Sequence, residues 1–281
     1  MKLFKISITI LLFIFNCKIL SAEVRKLFIE NNEILSLEGN FIQGGLVQGK
    51  SSLKINIIFM KKNIYQDKDG RFVLGFGRDF PKTSILKIKH NNNLFTKEIH
   101  IKKQNYKIQS ISGLPKKMVT PPDHVYKRII RENKNIARVR ALNSKLSFIF
   151  QKFIWPVNGI ITGVFGSQRI LNGKPRRPHY GIDIAAKKGT KVLAPIDGMV
   201  RLAEADLYFT GGTVMLDHGH GVTSIYSHLS KLSVKNSQKV KKGDVIGLVG
   251  STGRSTGPHL DWRINWFDQR LDPYLFVKSY D

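Results

Sequence analysis

Five residues in the last part of the chain are of the types that hold a divalent metal and move protons: His179, Asp183, His228, His259 and Asp261. His179 and Asp183 stand four apart in "PHYGIDIAA", with Gly181 between them, a pairing that on its own often arises by accident. His228 closes "SIYSH", two residues after Tyr226, and "STGPHLDW" delivers His259 and Asp261 two residues apart. Alternate strand residues point to one face, so His259 and Asp261 are expected together, with Leu260 turned away, and Tyr226 and His228 are expected to share a face. A hydrolytic metal centre needs three protein ligands and an open position for water. It also needs neighbours that shift protons and stabilise a developing oxyanion. These five residues supply that inventory from three separated strand ends. Other hydrolytic designs are excluded: there is no His-Glu-x-x-His helix and no nucleophile elbow, and the single cysteine, Cys17, lies in the N-terminal stretch.

The elements that must carry these residues are strands. From Trp155 to the C-terminus, glycines and turn dipeptides are dense, and "AKKGTKVLAPIDGMV" and "VKKGDVIGLVG" both set Lys-Lys-Gly before a short apolar strand, as two similar hairpins of one sheet would. Upstream, from Glu23 to Gly113, "SLKINIIF", "SILKIKH" and "FTKEIHIKK" alternate apolar and polar residues between turn signals such as Asp69-Gly70, the pattern of a small β-sandwich. His90 and His100 sit among lysines there and read as surface residues. Between the two β regions, Thr120-Pro121 resembles a helix start, and Val125, Ile129, Ile136, Val139 and Leu142 recur at helical spacing. That predicts a basic amphipathic helix near 121–147 acting as a packed connector. The expected organisation is a signal peptide over 1–22, an N-terminal β-sandwich over 23–115, a helical linker over 116–152 and a C-terminal antiparallel β domain over 153–281. The fold class is mainly β.

Residues 1–22 combine Lys2 and Lys5, an apolar run from Ile6 to Phe15 and a small-residue end at Ser21-Ala22, the layout of a secretory signal peptide cut after Ala22. The apolar run is shorter than the ~20 residues a spanning helix needs, and an uncleaved anchor is the one route by which a membrane would enter. The chain holds 46 Lys and Arg against 20 Asp and Glu, a formal charge of +26, which favours polyanionic surroundings. Export makes nucleic acid a poor partner, so the charge points to the cell envelope. The exported chain would lack cysteine, leaving core packing, with or without a metal, to stabilise it.

The segment from Trp155 to Pro273 resembles the lysostaphin-type family of zinc metallopeptidases, which cut peptide cross-links of bacterial peptidoglycan. The resemblance rests on "FGSQR", "NGKPRRPHYGIDIAAKKGTKVLAP", "DHGHGVTSIYSHLS", "KKGDVIGLVGSTGRSTGPHL" and "RLDP". The upstream "FIQGGLVQG" and "YKIQSISGLP" resemble the N-terminal module of Gram-negative members. By this resemblance His179 and Asp183 match the first two zinc ligands, and His228 and His259 match catalytic histidines beside the metal. The third ligand position, a histidine in the family, holds Asp261. An aspartate oxygen is a legitimate zinc ligand, and a His-Asp-Asp set also admits manganese. His218 and His220 of "DHGHG" read as structural, Asp217 and Tyr226 as hydrogen-bonding to neighbouring backbone or orienting His228, and Arg169 as lining the groove or packing beside it. The resemblance implies an exported D,D-endopeptidase acting on peptidoglycan, with an envelope regulatory protein as a further partner. Its alternative is an inactive member that binds the wall or activates a separate amidase.

Overall fold

The computed structural model describes residues 23–29, 32–114 and 116–278; the expected signal peptide lies outside them. No helix among the described residues is long and apolar enough to cross a membrane. The protein is mainly β, with antiparallel sheets and one connecting helix, as the alternation predicts. In the N-terminal region one four-stranded sheet runs in the order Glu23–Ile29, Asn32–Gly39, Leu46–Lys50, Arg71–Gly75. A second runs Lys62–Ile64, Asn56–Phe59, Thr83–His90, Asn93–His100. Period-2 patterning explains the faces: in Thr83–His90 the side chains of Leu86 and Ile88 are buried while Lys87 and Lys89 are exposed. Leu86 and Ile88 share a core with Ile57, Phe59, Phe72 and Leu74.

That core does not end at the sandwich. Buried residues from Leu35 to Val277 form one contiguous cluster. The Phe59 ring lies 6.1 Å from that of Trp266. Gly75 is glycine because a Cβ there would stand 2.6 Å from the Trp266 Cβ. The Gly77 amide donates to Gln269 Oε1 at 3.1 Å, and the Asp272 amide donates to the Gly44 carbonyl at 2.8 Å. Ile108–Ile111 pairs in parallel with Gln168–Leu171, so the chain leaving the sandwich joins a small sheet of the C-terminal region.

The connecting helix spans Tyr126–Arg140, shorter than the 121–147 expected. Pro122 is extended (φ −69°, ψ 155°), and proline disfavours α geometry in the residue before it, so the Thr120-Pro121-Pro122 stretch cannot begin the helix. Val139 is buried with Leu202, Leu207, Met215 and Ile225, and Ile136 and Leu142 pack against them. Glu132 fixes the helix further: its carboxylate accepts from Arg128 Nε at 2.6 Å and from the Tyr208 amide at 2.8 Å.

The C-terminal sheet is ordered Ile160–Gly163, Ile182–Ala185, His259–Trp266, Val222–Leu232, Gly211–Gly219, Gly198–Leu207, Lys239–Val240, all antiparallel. The strands following the two Lys-Lys-Gly sequences, Lys191–Leu193 and Val245–Val249, pair with each other. One face of the central strands buries Tyr226, Trp262, Ile264 and Trp266. The other face carries the polar constellation.

Candidate metal centre

Register places the carboxylates. Asp183 is directly opposite Asp261 in the antiparallel ladder of Ile182–Ala185 with His259–Trp266, and Asp261 is opposite Ser227 on its other side. Like charges directly opposite across a ladder are destabilising, and both carboxylates are buried. The fold answers with positive charge on each. Arg169 donates through Nη2 to Asp183 Oδ2, and Arg263 grips Asp261 with a two-pronged fork, Nε to Oδ1 at 2.9 Å and Nη2 to Oδ2. Close approach of the chains depends on two glycines. A Cβ on Gly163 would meet Asp183 Oδ2 at 2.3 Å, and one on Gly181 would meet the Trp262 carbonyl at 2.4 Å.

His179 enters from the loop before Ile182–Ala185 and is buried. Its Nε2 lies 3.1 Å from Asp183 Oδ1, yet both of its ring nitrogens and that carboxylate oxygen are buried without a hydrogen-bond partner. Orphaned buried polar atoms are rare and call for an explanation. Ligand atoms of His179, Asp183 and Asp261 all fall within 4.8 Å of one another, close enough to share one cation. The donor set of one imidazole and two carboxylates suits zinc or a harder divalent ion, and the orphaned atoms fit such a guest. Burial pushes the Asp183 carboxyl up, but His179 and Arg169 outweigh it and hold it below the usual carboxylate range. Burial acts on Asp261 in the same sense, and the Arg263 charge and hydrogen bonds overcome it and hold it far lower. Both groups are therefore ionised at neutral pH.

His228 and His259 lie beside this group, ring centroids 4.8 Å apart. His228 Nδ1 lies 2.7 Å from the Thr252 carbonyl and His259 Nδ1 lies 2.8 Å from the Gly257 carbonyl. A carbonyl only accepts, so in both rings Nδ1 carries the proton and donates, which leaves an Nε2 lone pair for chemistry. His259 Nε2 is 3.8 Å from Asp183 Oδ1. Burial lowers the His228 pKa to about 4, so that ring is neutral and able to accept a proton at neutral pH.

One expectation changes here. Tyr226 and His228 do not share a face. His228 has φ +66°, a left-handed backbone that breaks the alternation and turns its ring toward Asp261, while Tyr226 faces the core. The Tyr226 hydroxyl instead lies 2.9 Å from Ser224 Oγ, which is 2.7 Å from His218 Nε2. His218 donates through Nδ1 to the Asp197 carbonyl at 2.8 Å, and the His220 ring lies 4.9 Å from those of Tyr65, to which it is tilted, and Phe150, which it meets edge to face. Only His220 lies in the turn; His218 sits in the strand Gly211–Gly219, and the contacts of both are made away from the metal group. Asp217 binds Ser144, Arg201 and the Gly219 amide rather than any site residue. Arg169 both lines the cleft and holds Asp183. Arg263 is the residue that the sequence reading missed, although it is two positions beyond Asp261 and alternation alone puts it on the same face.

The cleft above the site is walled by Phe209 and Thr210 on one side and by Asn133, Ile136 and Arg140 of the connecting helix on another. No sandwich residue lines it among those described.

Comparison with known proteins bears on this arrangement. Residues 177–273 match the model of peptidase family M23. A stretch of 97 residues is 44% identical to the DD-carboxypeptidase/endopeptidase Mpg of Neisseria meningitidis, covering 34% of this chain and 22% of that protein. A stretch of 87 residues is 45% identical to the peptidoglycan DD-endopeptidase ShyA of Vibrio cholerae, covering 31% of this chain and 20% of that protein. The match thus spans about a fifth of each of these relatives. A solved Pseudomonas aeruginosa structure assigned to peptidase M23 superposes with a TM-score of 0.66 at 27% identity, covering 85% of this chain and 96% of that one. That superposition takes in the sandwich as well as the C-terminal sheet, and the family model falls on the residues that carry the site. The chain contains a lysostaphin-like peptidase domain of family M23, over residues 177–273.

Proposed function

We propose that this protein is an exported, metal-dependent endopeptidase that hydrolyses peptide cross-links of peptidoglycan, by a D,D-endopeptidase cut. The observation that carries the reading is the pair of orphaned buried donors, His179 and Asp183 Oδ1, facing each other beside two histidines that each offer Nε2. His179, Asp183 and Asp261 would hold the ion. A divalent cation there supplies Lewis acidity at the scissile carbonyl and a more acidic water. His228, neutral and fixed by Thr252, accepts the proton of the attacking water at Nε2. His259, fixed by Gly257 with its Nε2 lone pair turned to the site, orients the attacking water, and the proton that His228 takes from that water is the one returned to the leaving amine. The names of the Mpg and ShyA proteins support the substrate class, and a +26 chain suits an anionic wall.

A second reading has its own observation: both oxygens of Asp261 already accept from Arg263. If that fork excludes a cation, the chain is a non-hydrolytic member that binds the wall or acts on an envelope partner. Intact sacculi treated with residues 23–281, with and without a chelator, separate the two. Chelator-sensitive release of un-crosslinked muropeptides is expected, and its absence across zinc and manganese refutes the hydrolytic reading.

A further inference from the structure

His179 is held by its backbone. Neither of its ring nitrogens has a hydrogen-bond partner, so no side-chain hydrogen bond sets the direction of the imidazole. Its main chain is tied twice to the turn Phe165-Gly166-Ser167 of "FGSQR". The Gly166 amide donates to the His179 carbonyl at 2.8 Å, and the His179 amide donates to the Ser167 carbonyl at 2.9 Å. The place of the imidazole therefore depends on the place of that turn. The turn is gripped in its own right from the N-terminal region. Arg78, just past the strand Arg71–Gly75, donates through Nε to the Gly166 carbonyl at 2.7 Å. Tyr106 presses on Gly166 so closely that a Cβ there would stand 2.1 Å from its ring, and Gly166 has φ +80°, so contact and backbone both demand glycine. The two props hold each other: the Arg78 guanidinium carbon lies 4.4 Å from the centroid of the Tyr106 ring, and the Tyr106 hydroxyl donates to the Arg78 carbonyl at 3.2 Å. The buried Phe165 ring lies 6.1 Å from that of Tyr106.

We infer that Arg78 and Tyr106 are positioning residues for His179, acting through the Phe165-Gly166-Ser167 turn, so that the N-terminal region forms part of the support of the metal site. Neither residue lines the cleft. The role in metal binding rests on the reading of His179 as a ligand. A ligand whose backbone is already in place loses little freedom when an ion binds, and outer partners of metal ligands commonly set affinity by about 10–100-fold. The Arg78 bond suits that task, because it is charge-assisted and its side chain is largely buried. The chain after Tyr106 extends the support to the second proposed ligand. The Gln168 amide donates to the Lys107 carbonyl at 2.9 Å, and the pairing of Ile108–Ile111 with Gln168–Leu171 sets Gln109 opposite Arg169, whose guanidinium holds Asp183. Arg78, Tyr106 and His179 are far apart in sequence, so only the fold reveals the connection.

The test uses the full exported chain, residues 23–281, and needs no substrate. Amide hydrogen exchange of the metal-free protein reads the turn directly. Tyr106→Ala and Arg78→Met should each speed exchange at the Gly166 and His179 amides by about tenfold, the scale of one hydrogen bond from a charged group. Equilibrium dialysis with zinc should show each variant binding about tenfold more weakly than the parent. Tyr106→Phe keeps the ring against Gly166 and should recover most of the loss. Ile88→Val, which trims one carbon from the strand Thr83–His90, is the control for general destabilisation and should bind zinc as the parent does. Parent-like exchange at the His179 amide in both Tyr106→Ala and Arg78→Met overturns the proposal, as does an equal loss of zinc affinity in Ile88→Val. Zinc binding that is unchanged in both variants also overturns it and leaves the metal reading intact. A parent chain that binds neither zinc nor manganese sinks the metal reading instead, and faster exchange at His179 in the two variants then still upholds the positioning of His179 by Arg78 and Tyr106.

Discussion

Replacing Arg263 with methionine tests what Asp261 is for. The side chain keeps its length and packing but loses the fork that holds both Asp261 oxygens. Removing one partner of a buried ion pair typically costs about 3–5 kcal/mol, because the remaining charge is stranded. At roughly 2–4 °C per kcal/mol for a chain of this size, the metal-free melting temperature should fall by about 6–20 °C. Zinc should behave in the opposite way. Unit charges about 4 Å apart interact by about 4 kcal/mol at an effective dielectric near 20, so a guanidinium sharing Asp261 with a cation opposes that cation strongly. Even a third of that repulsion is about tenfold in affinity, so Arg263→Met should bind zinc at least tenfold tighter than the parent. Zinc at a hundredfold excess over its dissociation constant would then restore about 2.7 kcal/mol. Differential scanning calorimetry across a zinc titration, with metal content after equilibrium dialysis, reads both quantities. Asp261→Asn is the companion and should reduce bound zinc to a trace. Unaltered zinc affinity in Arg263→Met, or full zinc content in Asp261→Asn, would refute the assignment of Asp261 as a ligand.

His228→Gln should retain bound metal and lower the rate of muropeptide release by about 10²–10⁴-fold, the usual range for a lost acid–base group; muropeptide chromatography with metal analysis checks both. Burial holds the His218 pKa at about 4, below its unfolded value near 6.5, so the unfolded state binds the extra proton first. The stability this contributes is fully present above pH 6.5 and is lost as pH falls toward 4. Urea midpoints of His218→Asn should depend less steeply on pH in that window, and an unchanged slope would contradict it. Gly75→Ala would press a methyl against Trp266 and should cost about 1–3 kcal/mol. Because that contact joins the sandwich to the C-terminal sheet, calorimetry should still show a single transition; a separate sandwich transition would contradict the shared core.

How far the sequence revealed this site depends on the kind of signal each residue gives. Alternation in "SILKIKH" and "HLDWRINW" is a local property, and the strands, their buried faces and the shared face of His259 and Asp261 follow from it. The resemblance of the C-terminal segment supplied the grouping of three distant strand ends, which no local pattern encodes. Alternation misled at His228, because a left-handed residue in a strand leaves no trace in a period-2 pattern and rotates the side chain to the opposite face. The helix start was misplaced for a related reason: Thr120-Pro121 has the composition of a helix N-terminus, but a second proline vetoes the geometry.

Arg263 shows a different failure. Its position on the site face follows from spacing, but arginine does not ligate metals, so its residue type carries no signal for a metal centre. A carboxylate placed where a neutral imidazole would serve brings a full negative charge into a buried ladder opposite Asp183. Such a charge requires a counter-charge within reach, and two residues along the same strand is the shortest distance at which a strand can provide one on the same face. Asp261 and Arg263 are therefore better read as one charged unit than as two separate residues. The fork lets the fold tolerate the carboxylate without a metal, so metal binding at this site is a competition between a cation and a guanidinium for the same oxygens. The ratio of those two affinities decides whether a cation can occupy the site.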